Sequence, residues 1–391
     1  MIYRLQGTLQ PYAWGGHDYI ARLLGQPPDG SPKAELWFGD HPQGAALLAD
    51  NGQTLALDQW LAAHPEALSA ASRARFGARL PFLLKILDVR LPLSIQLHPD
   101  KAQAEAGFAR EVAAQVPVAQ RNYVDDNHKP ESMVALSEFW LLHGFAAPEV
   151  IAARLAARPS LAPVAQMIGE QGLEAAYARV LRAGQRELAA WLDPLLDAPA
   201  PSHMSDNPDF WLHHTVRTMQ IPRDALDAGL LSFYLLNIVQ LRPGEGIFQP
   251  ARLPHAYLFG QNVEIMAASN NVLRAGLTPK HMDIEELLRV IDVQAVSPAI
   301  LPAPATAHGW HAYPAPVADY ALDVLGMADG SVETLVAEEA TVLLVLSGEL
   351  QLTEGDARLR LRPGEAALLT AGSRCTLQSA GETRVVRASN H

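Results

Sequence analysis

Two polar side chains stand in a short stretch whose alternation of residues predicts a β-strand. Gln96 and His98 lie two residues apart in the run 94–99. Because successive side chains of a strand point to opposite faces, these two share one face. An amide oxygen and an imidazole nitrogen on one face can bind a divalent cation. Such a pair alone is more often ordinary polar packing, so a metal site needs further ligands.

Two further candidate ligands occur in equally distinctive settings. Glu131 ends the run Asn127-His-Lys-Pro-Glu131, and His255 follows a proline in a second predicted strand. A histidine there can be a satisfied core residue, but the preceding proline and an upstream Pro-Gly turn favour a strand that presents a ligand into a barrel. Two imidazoles, one carboxylate and one amide oxygen suit zinc, with room for water or substrate.

The composition limits the class of protein and its partners. The chain of 391 residues is 49% apolar and 18% charged, which is typical of a globular protein. A net charge of −12 without a basic cluster argues against nucleic acid and anionic membranes as partners. The single cysteine, Cys375, excludes an intramolecular disulfide and indicates a reducing compartment. With no signal-like start and no apolar run near the roughly 20 residues of a membrane span, we expect a cytoplasmic protein.

The pattern along the chain predicts several packed units. The length favours two or three of them. Short apolar runs punctuated by Pro-Gly turns favour a jelly-roll or a barrel. Residues 147–231 differ, because they are rich in Ala, Leu, Arg and Glu with helical spacing, and they predict a helical insertion.

Separate motifs occur in one consistent order over roughly residues 1 to 290. Together they resemble type I mannose-6-phosphate isomerases, and several motifs in order make a chance resemblance improbable. The last hundred or so residues agree only in general pattern. The motifs are Pro11-Tyr-Ala-Trp-Gly-Gly16, Glu35-Leu-Trp-Phe-Gly39, Gln96-x-His98, His128-Lys-Pro-Glu131, Pro254-His-Ala-Tyr257 and Asn271-Val-Leu-Arg-Ala-Gly-Leu-Thr-Pro-Lys280.

The resemblance implies a zinc-dependent aldose–ketose isomerase that interconverts mannose 6-phosphate and fructose 6-phosphate through a cis-enediol. It implies a mainly β fold with an α insertion, in which cupin-type jelly-roll barrels accompany a helical domain. We expect one zinc ion per chain, a monomer and a small sugar phosphate as the only partner. The expected division is 1–146 for the first part of the catalytic cupin domain, 147–231 for the helical insertion, 232–297 for the completion of the catalytic domain, and 298–391 for a linker and a C-terminal cupin-like β domain.

The resemblance also implies roles for individual residues. The fixed charge of an arginine suits stabilisation of an enediolate, because a guanidinium does not lose its proton. The implied zinc ligands are Gln96, His98, Glu131 and His255. The predicted catalytic residues are Arg274, Lys129, Glu264 and His128, and the predicted substrate-binding residues are Ser94, Lys85 and Lys280, with Trp14 added because an indole can stack on a sugar.

Some of these residues have a structural alternative. Arg274 could form a buried ion pair with Glu264 rather than contact the substrate. Lys85 lies in an almost wholly apolar strand, where an unpaired charge is costly, so a salt bridge with Asp88 competes with a phosphate-binding role.

The run before Glu131 is extended, because a proline disfavours helical backbone in the residue before it. Lys129 therefore shares a direction with Glu131 and is expected to face the substrate, whereas the direction of His128 stays undecided.

One position departs from the family pattern. Asn270 stands where the family commonly has an aspartate, and an amide cannot act as a general base. The identity of the base therefore stays open. Two other functions also stay open: another metal-dependent cupin enzyme, such as an oxygenase that uses iron held by two histidines and a carboxylate, and a non-catalytic sugar-phosphate-binding cupin.

Overall fold

Two antiparallel sheets contain the strands of this computed structural model, which describes residues 1–280 and 282–391. One sheet has 10 strands and the other has 11. Numbered in chain order, the strands are β1 (Ile2–Gln6), β2 (Thr8–Gln10), β3 (Glu35–Phe38), β4 (Leu47–Asp50), β5 (Gln53–Ala56), β6 (Phe82–Val89), β7 (Ile95–Leu97), β8 (Glu131–Ala135), β9 (Phe139–Phe145), β10 (Leu236–Leu241), β11 (Gly246–Gln249), β12 (His255–Ala267), β13 (Leu273–Gly276), β14 (Ile300–Leu301), β15 (Gly309–Tyr313), β16 (Ala321–Met327), β17 (Val332–Ala337), β18 (Thr341–Glu354), β19 (Ala357–Leu361), β20 (Ala366–Leu369) and β21 (Ser373–Ser389).

The helices fall mainly in the expected insertion. The long run of helical spacing after residue 147 folds as α5 to α8 and covers one face of the 11-stranded sheet. The prediction of a mainly β, cupin-like fold with a helical region is confirmed. The helices are α1 (Tyr19–Leu23), α2 (Leu57–Ala63), α3 (Ala70–Phe76), α4 (Lys101–Ala113), α5 (Pro148–Ala156), α6 (Ala162–Leu181), α7 (Gln185–Asp197), α8 (Pro208–Thr218), α9 (Ser232–Leu235) and α10 (Ile284–Val290).

The long strand β12 holds the 11-stranded sheet together. Its first residues pair with β7 and β9, and its residues from Gly260 onward pair with β6 and β8. The register with β9 shifts between Tyr257 and Phe259. Gly260 follows with a φ of 116°, and a Cβ there would lie 2.4 Å from the backbone oxygen of Glu138. A residue without a side chain therefore lets β12 bend and join two halves of a barrel-like sheet.

Alternation along β9 separates the inside of this sheet from the helical layer. Phe139 and Leu141 pack in one cluster with Tyr257 on β12. Trp140 and Leu142 point the other way and belong to the core shared with α5 to α8. The helices thus bury the outer face of β9, while the inner face is left for the site.

The 10-stranded sheet joins the two ends of the chain. β1 pairs with β20 through partners such as Leu5 and Ala366, and β4 and β5 extend the same sheet. The predicted division of the chain stays a prediction, but the start of the segment 298–391, where a linker was expected, contains β14 and β15. Short strands among prolines are tolerated at sheet edges, where backbone N–H groups need no partner in the sheet.

An apolar layer lies between the two sheets. Val134 on β8 and Ile265 on β12 pack in one cluster with Tyr320 and Leu322. The latter two belong to residues 298–391, which we call the C-terminal part. The 10-stranded sheet therefore covers the outer faces of β8 and β12, whose inner faces carry polar residues. Within the described residues, we find no helix with the length and apolar character that a membrane crossing requires.

Candidate metal centre

Three of the predicted ligands converge at strand ends. His98 directly follows β7, and Glu131 and His255 are the first residues of β8 and β12. Each imidazole Nε2 lies 3.3 Å from a different oxygen of the Glu131 carboxylate. One ligand atom from each residue can be chosen so that all lie within 4.8 Å of one another, and each residue is only 1% exposed. The three side chains therefore lie close enough together to hold one ion, and their role as zinc ligands stays a prediction.

The hydrogen bonds of the two histidines leave their Nε2 atoms available. His98 Nδ1 lies 2.7 Å from the carbonyl of Asn271, and His255 Nδ1 lies 2.9 Å from that of Leu253. Because a carbonyl only accepts, both Nδ1 atoms carry the proton in the neutral ring, and each Nε2 keeps a lone pair. Backbone partners of this kind commonly orient metal-ligating histidines.

The same Nε2 and carboxylate atoms are suited to bind a cation. Among the described residues, His98 Nε2, His255 Nε2 and Glu131 Oε2 are buried without a hydrogen-bond partner. Burying polar atoms without a partner is costly, so such a group needs an explanation. Two imidazole nitrogens and a carboxylate oxygen form a donor set that suits zinc, and the residues therefore fit a divalent ion of that type.

Gln96 lies beside this group. It is the direct cross-strand neighbour of His255 on one side and of Arg274 on the other. Directly opposed residues of antiparallel strands point to the same face, so Gln96 shares the face of His255. Its role as a fourth zinc ligand stays a prediction.

Burial and nearby charges set the protonation states of Glu131 and His98. Lys129 Nζ donates to Glu131 Oε1 at 2.6 Å, which confirms the predicted common direction of these residues. Burial opposes ionisation of Glu131, but Lys129 and His98 hold its pKa well below the ordinary value. Burial, assisted by Lys129, lowers the pKa of His98 to about 4. At neutral pH the ligands are therefore a carboxylate and a neutral imidazole, the forms that bind metal.

Lys85 forms ion pairs, but not with the partner considered in its structural alternative. Its Nζ lies 2.8 Å from Glu264 and 3.7 Å from Glu35. Asp88 instead accepts a hydrogen bond from Gln261 at 2.7 Å. Positions 85 and 88 are an odd number apart, so their side chains leave the strand on opposite faces. Burial would lower the pKa of Lys85, but Glu264 and Glu35 reverse the effect and raise it above the ordinary value.

Glu35 is a buried polar residue that the sequence analysis did not assign to the site. It is 8% exposed, and Trp37 Nε1 donates to its Oε2 at 2.5 Å. The signal was present, because alternation in Glu35-Leu-Trp37 puts both residues on one face of a buried strand. Two carboxylates around Lys85 make this end of the site unfavourable for a phosphate, so its phosphate-binding role stays a prediction without support.

Arg274 lines a separate opening with positive character. A cavity of about 280 Å³ is bordered by Arg274, Lys280, Arg121, Asn122 and Asp283, among others. Arg274 is half-buried, and burial lowers its pKa from the ordinary value. In the described part of the chain it forms no ion pair, and the alternative pairing with Glu264 is wrong because that carboxylate is bound to Lys85. The guanidinium is thus available to an anion.

The remaining predicted residues lie around these groups. Ser94 is half-buried and precedes Gln96 by two residues. Trp14 is also half-buried, packs against the cluster that contains Tyr257, and stacks on Tyr12 with 5.9 Å between ring centroids. Their substrate-binding roles stay predictions. His128, whose direction was undecided, has its Nε2 3.0 Å from Asp319 of the C-terminal part.

One fully buried amide links the segments that carry the ligands. Asn271 Oδ1 accepts from the backbone N–H of Val124 at 2.8 Å, and its Nδ2 donates to the carbonyls of Asp125 and Asn127 at 2.8 Å each. Its own carbonyl accepts from His98. Asn271 is the first residue of the sequence motif that ends at Lys280, but no role was predicted for it. Its burial and its bonds now mark it as a support for the site.

A second buried histidine lies beside the ligand group. His143 is the cross-strand neighbour of His255 and is 3% exposed. Burial, with a further effect from His255, lowers the pKa of His143 to about 3. This imidazole is therefore neutral at physiological pH.

Fold and site define a cupin-like protein with a buried residue group that can hold a divalent metal ion. A family model described as phosphomannose isomerase type I, catalytic domain, matches residues 2–147. The mannose-6-phosphate isomerase of Escherichia coli (strain K12) is 36% identical over 380 residues, covering 94% of each chain. The mannose-6-phosphate isomerase of Homo sapiens is 32% identical over 390 residues, covering 89% of this chain and 88% of its own.

Solved structures agree with these relatives. A mutant phosphomannose isomerase from Salmonella typhimurium superposes with a TM-score of 0.88 at 35% identity, covering 100% of this chain and 99% of that chain. A zinc-bound mannose 6-phosphate isomerase gives a TM-score of 0.87 at 35% identity and the same coverage. The chain therefore belongs to the type I phosphomannose isomerase family and is an enzyme, an isomerase.

Replacing Asn271 with alanine tests its supporting role. We expect the free energy of unfolding to fall by about 3 kcal/mol, because three backbone groups lose their hydrogen bonds to a buried side chain and a cavity is left behind. We also expect zinc affinity to fall by about 10-fold or more, as for other residues that orient metal ligands. Denaturant unfolding and zinc titration measure these effects. Asn262→Ala is the matched control, because Asn262 is equally buried but has no hydrogen-bond partner among the described residues. Unchanged zinc affinity in Asn271→Ala would contradict the assignment.

His143 gives a prediction about pH. Its pKa of about 3 in the folded chain lies below the ordinary 6.5, so between these values the unfolded chain binds the extra proton. The free energy of unfolding of the metal-free protein must therefore decrease as the pH is lowered through this window. His143→Asn should reduce the slope by about 1.4 kcal/mol per pH unit between about pH 5.5 and about pH 4.5.

Denaturant unfolding at several pH values measures this slope, which is independent of any constant packing loss in the variant. His203→Asn is the control, because His203 is exposed in the folded chain. Equal slopes in the wild type and in His143→Asn would show that the buried imidazole is already protonated in this range.

Proposed function

We propose that this enzyme interconverts mannose 6-phosphate and fructose 6-phosphate, with one zinc ion per chain held by Gln96, His98, Glu131 and His255. The observation that carries the proposal is the buried group of two imidazoles and one carboxylate at the strand ends, in which both Nε2 atoms and Glu131 Oε2 have no hydrogen-bond partner among the described residues. Relatives named mannose-6-phosphate isomerase and a zinc-bound structure of that name support the substrate and the metal. The monomeric state and the cytoplasmic location stay predictions.

The reaction moves one proton between C1 and C2 of the sugar through a cis-enediol. A bound zinc ion would polarise the sugar carbonyl and stabilise negative charge on its oxygen. Arg274 lies across from Gln96 and keeps a free, half-buried guanidinium, which suits an enediolate or the phosphate. Lys280 and Arg121 border the same cavity and provide further positive charge for a phosphate.

Proton transfer needs a base other than Asn270. His41 Nδ1 accepts from the backbone N–H of Gln43 at 3.2 Å, so the neutral ring carries its proton on Nε2 and donates it to Asn270 Oδ1 at 2.8 Å. An amide oxygen held this way takes up no proton. We assign the transfer to Glu264, which is 3% exposed and whose carboxylate Lys85 orients.

Lys129 and His128 complete the proposed catalytic residues. The Lys129 ammonium lies against Glu131 and can donate to a sugar oxygen beside the zinc ion. His128 is three residues from Glu131 and partly exposed. Ser94 and Trp14, near the same strand ends, are proposed to contact the sugar, and Lys85 acts through Glu264 rather than on the phosphate.

Isomerisation of mannose 6-phosphate by the purified enzyme tests the proposal. We expect activity that is lost on chelation and restored by zinc, since the ligand group has no substitute for the ion. Arg274→Ala should lower kcat by about 10²-fold to 10³-fold, as for the loss of one donor to a developing oxyanion. Arg217→Ala, an exposed arginine on α8, is the control and should keep full activity.

Other outcomes point to the alternative functions. Activity that survives complete removal of metal would reject the proposed mechanism. Tightly bound iron with consumption of oxygen would favour an oxygenase, which uses a similar set of two histidines and one carboxylate. Binding of fructose 6-phosphate by the zinc-loaded protein without turnover would favour a sugar-phosphate-binding protein.

A further inference from the structure

A buried carboxylate from the C-terminal part reaches the segment that carries Lys129 and Glu131. Asp319 is 4% exposed, and its Oδ2 lies 3.0 Å from His128 Nε2. An aspartate carboxylate at neutral pH only accepts, so His128 donates from Nε2. The contact spans 191 residues of sequence and joins the segment before β8 to the segment before β16.

A second hydrogen bond joins the C-terminal part to the other end of the same segment, residues 128–132. Tyr320, which is 0% exposed, has its hydroxyl 3.0 Å from Ser132 Oγ. Ser132 and Glu131 are consecutive in β8, so their side chains leave the strand on opposite faces. Glu131 therefore points to the zinc ligands, while Ser132 points to the C-terminal part. Neighbouring residues 319 and 320 hold both ends of the segment 128–132.

The hydrogen bond to Asp319 fixes the imidazole of His128 in two respects. It restricts rotation of the ring, and in the neutral ring it places the proton on Nε2 and leaves Nδ1 as the acceptor. His128 is adjacent to Lys129, which itself donates to Glu131. The orientation of His128 is therefore set by a residue outside the sheet that carries the zinc ligands.

We propose that Asp319 is a positioning residue of the active site, which acts through His128 by fixing the segment that carries Lys129 and Glu131. The C-terminal part thereby completes a site whose metal ligands all belong to the other sheet. The proposal rests on the roles of Lys129 and Glu131 in the proposed function. A contact that only stabilised the packing of the two sheets would affect stability but not the kcat of the folded enzyme.

A double-mutant cycle tests this proposal through kcat. Asp319→Ala should lower kcat by about 10-fold with little change in KM, a loss in the range seen for residues that orient reactive groups. In the His128→Asn background, Asp319→Ala should lower kcat by less than about 2-fold, because the residue through which it acts is already absent. Asp319→Asn keeps an acceptor oxygen and should lose less activity than Asp319→Ala.

Asp323→Asn is the matched control. Asp323 is 7% exposed and lies in the same part of the chain, but its carboxylate pairs with Arg387 at 2.7 Å. Its replacement should lower the melting temperature without lowering kcat. The proposal is overturned if Asp319→Ala changes kcat no more than Asp323→Asn does, if the loss is the same in both His128 backgrounds, or if His128→Asn keeps the wild-type kcat.

A measurement without substrate separates this proposal from the proposed function. In protein labelled with ¹⁵N at histidine, the Nε2–H of His128 should give a protected signal that is lost in Asp319→Ala and retained in Asp323→Asn. Wild-type protein that shows this signal but no isomerase activity would reject the proposed function while leaving the hydrogen bond in place. A signal unchanged in Asp319→Ala would overturn the positioning role.

Discussion

The bridge that Glu131 forms between two histidines is the constraint on which the rest of the structure depends. Each carboxylate oxygen lies 3.3 Å from an imidazole nitrogen, and all three residues are buried. Without a cation, the folded chain keeps polar atoms away from water and without partners, which is unfavourable. The hydrogen bonds from Nδ1 to backbone carbonyls orient both rings so that their Nε2 atoms face the same carboxylate. The same arrangement that suits a cation therefore lowers the stability of the metal-free folded chain.

The sheet supplies the geometry that this bridge requires. Each predicted ligand stands in or next to the first or last residues of a strand, where the backbone is already held by neighbouring strands. Strand β12 contributes His255 at one end and Glu264 near the other, and the bend at Gly260 lets one strand serve both. Asn271 then joins the loops between the strands. The ligands are precise because they belong to the framework rather than to free loops.

Alternation within strands accounts for most of what the sequence could predict. It placed Gln96 with His98 and Lys129 with Glu131, and the motif order linked residues far apart in the chain. The same rule, applied to the spacing of Lys85 and Asp88, would have shown that they lie on opposite faces. The pairing of Asp319 with His128, and of β1 with β20, had no local signal, because contacts over hundreds of residues depend on how the two sheets dock.

The balance of charge inside the site explains why a cation and an anionic substrate belong together. Among the described residues of the site, the carboxylates of Glu131, Glu264 and Glu35 are buried with the two ammonium groups of Lys129 and Lys85, so the formal charge of these five groups is negative. A divalent cation reverses the sign and leaves the buried carboxylates compensated. In the proposed reaction, the resulting net positive charge would favour an enediolate over the uncharged carbonyl form of the same sugar. Under the proposed function the phosphate would lie away from the carboxylates, since the cavity beside Arg274 provides separate positive charge.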